Sequence, residues 1–288
     1  MHGWLILDKP SGITSAHAVA KVKRLLKPGK IGHAGTLDPL ASGVLPLALG
    51  EATKTVGYMM DASKAYLFTV LWGSETDSDD SQGKVTLTSP NRAALSQIEA
   101  ILPEFIGQID QAPPSYSAIK IDGKRAYALA REGHAPEMKA RKVRVDSLEM
   151  TEQNAESTSF ICHCGKGTYV RSLARDMGRR LGCYGHIVAL RRIKVGKFTE
   201  NHAISLEKLE EMVHKGDLGF FQPVTSALDD IPAVTLTANQ ATWLKQGQSV
   251  ENSGMNGTVK LLCDGKLIAI GDAAGGRITP RRVFNLSG

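Results

Sequence analysis

The stretch that most constrains this chain is Gly32–Pro46, which reads Gly-His-Ala-Gly-Thr-Leu-Asp-Pro-Leu-Ala-Ser-Gly-Val-Leu-Pro. Glycines and prolines among small residues restrict its backbone and favour turns that contain positive-φ residues. The apolar run Val44–Leu49 overlaps its end and predicts a buried strand. The sequence therefore predicts a stiff loop anchored on a core strand.

One acidic residue, Asp38, lies in this loop, and the next acid towards the N-terminus is Asp8. A single carboxylate on a stiff loop, backed by a core strand, suits a catalytic group. An Asp-Pro pair also suits an Asx-turn, in which Asp38 only caps its own backbone before Pro39. The residues of this stretch by themselves leave both interpretations open.

Composition indicates a globular protein with a basic surface. The chain has 288 residues, of which 42% are hydrophobic and 22% charged, and this length suits one large domain plus a small one. The net charge of +6 favours a polyanionic partner. Four cysteines form no disulfide framework, and no apolar run is long enough for a signal peptide or a membrane span. We therefore expect a reduced, cytoplasmic protein.

Hydrophobic periodicity and turn residues predict strands and helices along most of the chain. The predicted strands are residues 4–7, 44–49, 66–72, 160–164 and 190–198, and the predicted helices are residues 15–26, 91–102, 168–181 and 205–213. Thr168 is the predicted N-cap of its helix and Gly182 the C′ residue. A composition change at 229–232, then a capping box at 237–240 and short strands, predict a small β-rich module. We expect two domains, residues 1–230 and 231–288.

The predicted helix 15–26 carries an apolar stripe and a basic face. Val19, Val22 and Leu26 form the stripe. The outward cations are Lys21, Lys23, Arg24 and Lys27. This face is either solvated or in contact with phosphates, and the sequence alone favours the solvated interpretation.

Arg171 falls in the first turn of the predicted helix 168–181. The helix dipole disfavours a cation there by a few tenths of a kcal/mol or more. A cation held in that position indicates an acidic partner, and Asp38 is the partner that we predict.

The segment from Ile109 to Gly133 combines aromatic rings with cations. Its Pro-Pro pair is followed by Tyr116, Lys120, Lys124, Arg125 and Tyr127, and Arg131 continues the positive run. Rings that stack on bases beside cations that bind phosphates are typical of single-stranded RNA binding. The alternative is an irregular linker between strands, and the residue mixture favours the RNA-facing interpretation.

Three further patterns have competing interpretations. Gly165-Lys166-Gly167 resembles an incomplete dinucleotide fingerprint, because Val170 replaces the third glycine. Cys162 and Cys164 share a strand face and, with Cys183 and His186, contain zinc-ligand types, but core thiols are the favoured interpretation. The Asp-rich segment 74–83 lacks the spacing of a calcium loop and predicts a hairpin or surface loop.

At residues 32–45 the sequence closely resembles the catalytic motif of the TruB family of tRNA pseudouridine synthases. The resemblance continues through residues 8–12, 64–66, 113–120, 165–171 and 190–192, and so covers most of residues 1–200. The Pro-Pro-Ser-Tyr-Ser-Ala segment resembles the bacterial branch. The chain departs from the family at Ala34 and Ser42, where threonine is common, and at Ser78 in the Asp-rich segment.

The resemblance implies conversion of uridine to pseudouridine at position 55, in the T-loop of tRNA. It implies that Asp38 is the catalytic aspartate, that Tyr66 stacks on the target base and that Arg171 pairs with Asp38. His33, Tyr169 and Leu190 match positions that line the uridine pocket, and Lys9 and Pro10 lie in a matched segment expected to contact substrate. No metal and no cofactor is implied.

The fold implied by the family is α/β (α+β), with a mixed, largely antiparallel central sheet flanked by helices. Residues 110–142 would be an RNA-contacting insertion, and residues 231–288 a PUA-like RNA-binding module. The expected partner is the T-arm stem-loop of tRNA, bound by a monomer.

Breaking an N-glycosidic bond and rejoining the sugar to C5 requires the uracil to leave the base stack. Flipping costs a few kcal/mol, which stacking on Tyr66, at about 1–3 kcal/mol, would largely offset. Asp38 would act as a nucleophile or as a base, oriented by Arg171. A tRNA-binding or tRNA-folding protein, and a nucleotide-dependent enzyme built on residues 165–167, are the competing hypotheses.

Overall fold

The structure is a computed structural model, and it describes residues 1–117, 119–121, 124–127, 138–251 and 254–286. The strands are β1 Gly3–Lys9, β2 Ile31–His33, β3 Ser42–Leu49, β4 Lys64–Trp72, β5 Ser74–Thr76, β6 Val85–Thr88, β7 Gly107–Gln111, β8 Lys120–Ile121, β9 Lys124–Arg125, β10 Arg141–Gln153, β11 Ser157–Cys164, β12 Gly185–Val195, β13 Phe198–Thr199, β14 Phe221–Gln222, β15 Ala233–Thr235, β16 Val250–Glu251, β17 Gly257–Cys263, β18 Lys266–Ala274 and β19 Arg277–Val283.

The α-helices of the described residues are α1 Ser15–Leu26, α2 Val56–Asp61, α3 Leu95–Ile101, α4 Val170–Arg180, α5 Leu206–His214 and α6 Ala238–Lys245. Short 3₁₀-helices lie at Gly50–Thr55, Leu102–Phe105, Glu200–His202 and Val224–Ala227. None of the helices in this part of the chain is long and apolar enough to cross a bilayer.

A large mixed sheet forms the centre of the molecule. Its strand order is β14-β1-β3-β12-β4-β11-β10-β7, with β2 paired to β3 and β13 paired to β12. Strand β12 pairs with β3 in parallel, through Ser42 and Gly43, and with β4 antiparallel, through Tyr66. These pairings place Arg192 between Gly43 and Tyr66, which brings the end of the Asp38 loop beside strand β4.

Alternation along β1 and β3 divides the core between the two faces of this sheet. Leu5 and Leu7 belong to one buried cluster, which also receives α1 and α4. Trp4 and Ile6 belong to the other cluster, which receives Phe284 from the C-terminal part of the chain. The Asp38 loop lies at the edge of the first face, because Leu37 and Ala41 are buried in its cluster.

Residues after 232 form a second sheet, of strand order β15-β17-β18-β19-β16. The β17–β18 turn has Asp264 at φ 48° and Gly265 at φ 72°, as a two-residue type I′ hairpin requires. Lys54 of the first part donates to the carbonyl of Val283 at 2.7 Å and so ties the second sheet to the first. The mixed sheet with flanking helices and a β-rich C-terminal region confirms the predicted fold class. The boundary at residue 230 remains a prediction.

Most predicted elements are present, with shifted ends. Helix 15–26 is confirmed residue for residue, because Thr14 caps its start and Lys27, at φ 47°, ends it. The predicted start at residue 91 is wrong, since α3 begins at Leu95. The Thr168 N-cap is also wrong. Tyr169 occupies that position, and its N–H donates to the Gln111 side chain at 2.8 Å, a contact no local pattern reveals. Much of the predicted RNA-facing segment, including Arg131, lies outside the described residues.

Gly43 is a position where the fold requires glycine. Its φ is +100°, and a Cβ built there would lie 2.3 Å from the backbone oxygen of Arg192. Gly107 also has positive φ, at +93°, but a Cβ there meets nothing within 4 Å. We expect Gly43→Ala to lower the free energy of unfolding by at least about 2 kcal/mol more than Gly107→Ala, because only the first adds a clash between β3 and β12. Urea unfolding of both variants tests this, and equal losses would contradict the β3–β12 register.

Candidate active site

The Asp38 loop is held from both sides by the start of α1 and the turn before it. The Ser15 hydroxyl donates to the carbonyl of Leu37 at 2.9 Å and accepts from the Leu37 N–H at 2.8 Å. The Ser11 hydroxyl donates to the carbonyl of Leu40 at 2.7 Å. These bonds fix the backbone immediately before and after Asp38, so the loop is rigid, as the sequence predicted.

The Asp38 carboxylate points towards α4 and meets Arg171. Arg171 Nε lies 2.9 Å from Asp38 Oδ2, and the side chains are 4% and 35% exposed, respectively. The Nε–H is not aligned with an acceptor, so the contact is an ion pair without a directed hydrogen bond. The predicted partnership of these residues is therefore present in the structure. The Asp38 carboxylate pairs with Arg171 and remains partly exposed to solvent. It does not cap its own backbone, as the Asx-turn alternative would require.

Carbonyl groups hold the rest of the Arg171 guanidinium in place. One terminal nitrogen donates to the Ser78 carbonyl at 2.7 Å and the other to the Tyr116 carbonyl at 2.9 Å. Asp80 lies 3.7 Å away as a second carboxylate. Because both terminal nitrogens are held by backbone atoms, the edge that faces Asp38 is fixed.

Arg171 is the first of three arginines at four-residue spacing on α4. Arg175 contacts Asp79 at 2.9 Å, and Arg179 forms a two-pronged pair with Glu75 at 2.6 and 2.7 Å. The acids belong to the Asp-rich segment 74–83. Its hairpin is confirmed by β5 and β6, but the surface-loop alternative is wrong, because Glu75, Asp79 and Asp80 are buried. The arginine spacing on one helix face was the available signal for these pairs.

The same helix turn anchors the segment that begins the predicted RNA-contacting insertion. Gln111 brackets Tyr169, donating to its carbonyl at 3.1 Å and accepting from its N–H at 2.8 Å. Ser172 and Arg175 each donate to the Ala112 carbonyl at 2.8 Å. Residues 111–116 are thus tied to the helix start that carries Arg171. Sequence reasoning did not identify this connection.

Two buried cations lie under the Asp38 loop. Arg192 is 1% exposed and donates to the carbonyls of Val44 at 2.8 Å and Gly35 at 3.1 Å. Lys9 is 0% exposed and donates to the carbonyls of Pro10 at 2.8 Å and Ile13 at 2.7 Å. Burial lowers the pKa of Lys9 to about 8, and the negative charge of Asp38 acts in the opposite direction.

The aromatic and imidazole groups named by the sequence surround these charges. Burial raises the pKa of Tyr66, whose hydroxyl lies beside Arg192. Burial also raises the pKa of Tyr169, and the charge of Asp38 adds to that rise. Burial and the charge of Arg192 lower the pKa of His33, and its Nδ1 has no hydrogen-bond partner. At physiological pH these rings are neutral surfaces around a charged centre.

Leu190 and Pro10 occupy the margins of the site. Leu190 is 8% exposed and lies two residues before Arg192 on β12. It lines a cleft of about 690 Å³ that Leu40 and Ser42 also line. The carboxylate of Asp38 is outside this cleft. Pro10 is exposed and contributes its carbonyl to Lys9. The structure therefore groups Asp38, Arg171, Tyr66, Tyr169 and Lys9 most closely.

Cys162 and Cys164 are buried in the same core cluster as Phe160, and Cys183 is buried there as well. This position agrees with the interpretation of these thiols as core residues. In the part of the chain that the structure describes, no group of three or more potential metal-ligating side chains is present.

Comparison with protein families identifies the chain. A family model described as "TruB family pseudouridylate synthase (N terminal domain)" matches residues 23–170. Two C-terminal models of the same family match residues 171–229 and 232–284. The chain belongs to the TruB family. The resemblance read from the motifs is thereby confirmed.

Relatives named tRNA pseudouridine synthase B match this TruB family member along its whole length. The protein of Rhodopseudomonas palustris is 50% identical over 300 residues, which cover 100% of this chain and 82% of that one. The protein of Brucella anthropi is 48% identical over 308 residues, which cover 98% and 95%, respectively. The chain is a pseudouridine synthase of TruB type that acts on tRNA.

Solved structures with the same fold include a protein complex and a ribonucleoprotein. A Cbf5–Nop10–Gar1 complex matches with a TM-score of 0.76 and 27% identity, over 98% of this chain and 84% of that one. An H/ACA RNP bound to a substrate RNA matches with a TM-score of 0.76 and 26% identity, over 98% and 85%. These matches support the mixed sheet and the β-rich C-terminal region as one shared architecture.

The charge of Asp38 raises the pKa of Lys9 against the effect of burial, whereas the pKa of Lys64, a second buried lysine, is lowered to about 8 by burial and by the charge of Arg192. We expect Asp38→Asn to lower the pKa of Lys9 further, because the neutral amide no longer stabilises the ammonium. The pKa of Lys64 should stay unchanged and serves as the internal control. An NMR titration of the lysine Nζ groups measures both. An unchanged pKa of Lys9 would contradict a charge interaction between Asp38 and Lys9.

The pair of Arg175 and Asp79 should make stability depend on pH. Burial raises the pKa of Asp79 to about 6, while Arg175 and Arg171 oppose the rise. Arg175→Met leaves a buried carboxylate without its nearest cation, so we expect a loss of about 3 kcal/mol in the free energy of unfolding at pH 8. The loss should shrink at pH 5, where Asp79 is protonated with or without Arg175.

The matched control is Asp79→Asn in the Arg175→Met background. Asparagine tolerates the φ of 61° at this position. Its side chain is uncharged, so no buried charge is left without a partner when Arg175 is removed. The double variant should therefore recover much of the stability at pH 8 and depend less on pH. Urea unfolding at both pH values measures this. An equal loss from Arg175→Met at pH 5 and pH 8 would exclude Asp79 as the cause.

Proposed function

We propose that this protein converts uridine to pseudouridine at position 55, in the T-loop of tRNA, with Asp38 as the catalytic residue. The observation that supports this most directly is the half-exposed carboxylate of Asp38, 2.9 Å from the buried guanidinium of Arg171. A carboxylate that is fixed at its base and open at its tip is arranged to meet a substrate. The tRNA class of the substrate agrees with the names of the relatives.

In the proposed reaction the target uridine is flipped out of the loop, because both the glycosidic bond and C5 must be accessible. Tyr66 stacks on the flipped uracil, and Tyr169 and Leu190 form the remaining walls of its pocket. His33 occupies the space that the base leaves or supports its neighbours. Lys9 stabilises the turn at Pro10–Ile13 through the Pro10 and Ile13 carbonyls, and Ser11 of that turn bonds to Leu40 of the Asp38 loop.

The bonds exchanged belong entirely to the substrate. The bond between N1 and C1′ breaks, a bond between C5 and C1′ forms, and C5 loses a proton while N1 gains one. Nothing is oxidised or reduced. Asp38 serves this exchange by attack on the nucleoside or by removal of a proton from the sugar, and each route uses the ionised carboxylate oriented by Arg171.

We further propose that residues 231–288 form a PUA-like RNA-binding module that assists tRNA binding. The match of residues 232–284 to a TruB C-terminal model supports this, as does the separate sheet of β15–β19. Residues 110–142 would contact the RNA beside the pocket. Support comes from the bonds of Gln111 and Ala112 to the helix start that carries Tyr169 and Arg171.

Mapping of pseudouridine along an unmodified tRNA transcript tests both the reaction and its position. We expect one modified site, at position 55, and none in a transcript with cytidine there. Asp38→Asn should lower the single-turnover rate at least about 100-fold, the lower range for a positioned acid or base, while tRNA affinity stays near that of the wild type.

Asp61→Asn is the matched control, because Asp61 is an exposed aspartate paired with Lys166. It should leave the rate unchanged. Activity that persists in Asp38→Asn would disprove the catalytic assignment. Pseudouridine at another position would disprove the T-loop assignment and leave the role of Asp38 standing.

A further inference from the structure

Helix α1 and the turn after it expose cations that have no carboxylate partner in the part of the chain that the structure describes. We call Lys23, Arg24, Lys27 and Lys30 the α1 basic surface; all four residues are exposed. No Asp or Glu occurs in the sequence between Asp8 and Asp38. The nearby Lys21 is left out of this surface, because its charge acts on Glu207 of α5. Lys23 and Arg24 lie in the last turn of α1, where the helix dipole favours cations, but the four like charges within eight residues also repel one another and together form a concentrated positive surface.

The neighbouring helix α5 is an example of a solvent-exposed surface on which cations are paired with acidic residues. Lys208 and Lys215 both pair with Glu211, at 2.9 and 2.6 Å, with spacings of three and four residues. Such pairs balance charge within the helix. The α1 basic surface has no equivalent among the described residues. The contrast favours phosphate contact over the solvated interpretation that the sequence alone suggested.

The position of α1 connects this surface to the active site. Its first residue, Ser15, holds Leu37 beside Asp38 through two hydrogen bonds. Its buried residues Ala18 and Val22 pack in the same core cluster as α4. Twelve helical residues span about 18 Å. From Lys30 the chain then returns through β2 to His33. The α1 basic surface therefore lies on the same side of the sheet as Asp38, within about 20 Å of the loop.

We propose that the α1 basic surface binds backbone phosphates of the tRNA substrate outside the loop that is modified. The RNA class follows from the tRNA substrate of the family, so the proposal is independent of the position of the target uridine. A row of phosphates is the anion that matches a row of cations without acidic residues. The contacts carry no base specificity; they hold the stem while the flipped base enters the pocket.

The test compares two double variants of equal charge change. Lys23→Gln with Arg24→Gln removes two cations from the α1 basic surface, and Lys208→Gln with Lys215→Gln removes two from α5. Glutamine has a helix propensity close to that of lysine and arginine, so both helices should persist, and thermal unfolding checks this. Dissociation constants for an unmodified tRNA transcript are then measured at several salt concentrations.

We expect the α1 variant to bind tRNA at least 10-fold more weakly at low salt. Its plot of log K against log salt should lose about one unit of slope for each phosphate contact removed. Single-turnover rates at saturating tRNA should stay at the wild-type value, because Asp38 and Arg171 are untouched. The α5 variant should show neither change. Addition of Lys30→Gln should weaken binding further.

Equal affinities and equal salt slopes in the two double variants would overturn the proposal and return α1 to a solvated face. A fall in the saturated rate without a change in affinity would also overturn it, since the cations would then act on the site rather than on the RNA. Neither outcome bears on whether position 55 is the target, which the mapping experiment decides separately.

Discussion

The buried guanidinium of Arg171 joins three parts of the chain that are far apart in sequence. It pairs with Asp38 of the catalytic loop, and it donates to the carbonyls of Ser78 and Tyr116. A charge that is 4% exposed is costly unless it is paired. Here Asp38 supplies the opposite charge, and the two carbonyls accept from the terminal nitrogens. The loop, the Asp-rich segment and the start of the predicted insertion therefore come together only when α4 is in place. Together these contacts hold the carboxylate of Asp38 in an accessible position.

Buried positive charge dominates the surroundings of that carboxylate. Lys9 and Arg192 are both almost completely buried, and both bond to backbone carbonyls rather than to acids. Arg192 holds the Asp38 loop through its backbone, and Lys9 holds the neighbouring turn at Pro10–Ile13, which leaves the side chain of Asp38 free for Arg171 and substrate. This arrangement separates positioning from chemistry. The strand pairings Lys9 with Gly43, Gly43 with Arg192 and Arg192 with Tyr66 place these residues in one row across the sheet.

Positive charge is used differently on the outside of the molecule. The arginines of α4 are matched with buried acids, and the lysines of α5 are matched with Glu211. The cations after Lys21 on α1 are not matched within the described residues. Electrostatic attraction to RNA is long-ranged and screened by salt, whereas the pairs inside α4 act at contact distance. The same residue types thus serve structure in one helix and, we infer, substrate binding in another.

Local chemistry made several features readable from the sequence. The bounds of α1 were predicted from its local pattern, and the structure shows that Thr14 caps its start and Lys27 ends it, both within a few residues. A cation in the first turn of a helix is unfavourable alone, and this pointed from Arg171 to Asp38. The glycines and prolines of Gly32–Pro46 predicted a rigid backbone.

Only the tertiary structure revealed features that depend on distant partners. Asp79 and Glu75 stand in a polar segment that suits solvent equally well, and their burial follows from Arg175 and Arg179 across the fold. Tyr169 rather than Thr168 is the N-cap of α4, because the side chain of Gln111, at the end of β7, accepts from the Tyr169 N–H. Burial of Lys9 and Arg192 required three strands to meet. Periodicity and caps act over one or two turns of chain, whereas ion pairs depend on distances that the folded chain alone establishes.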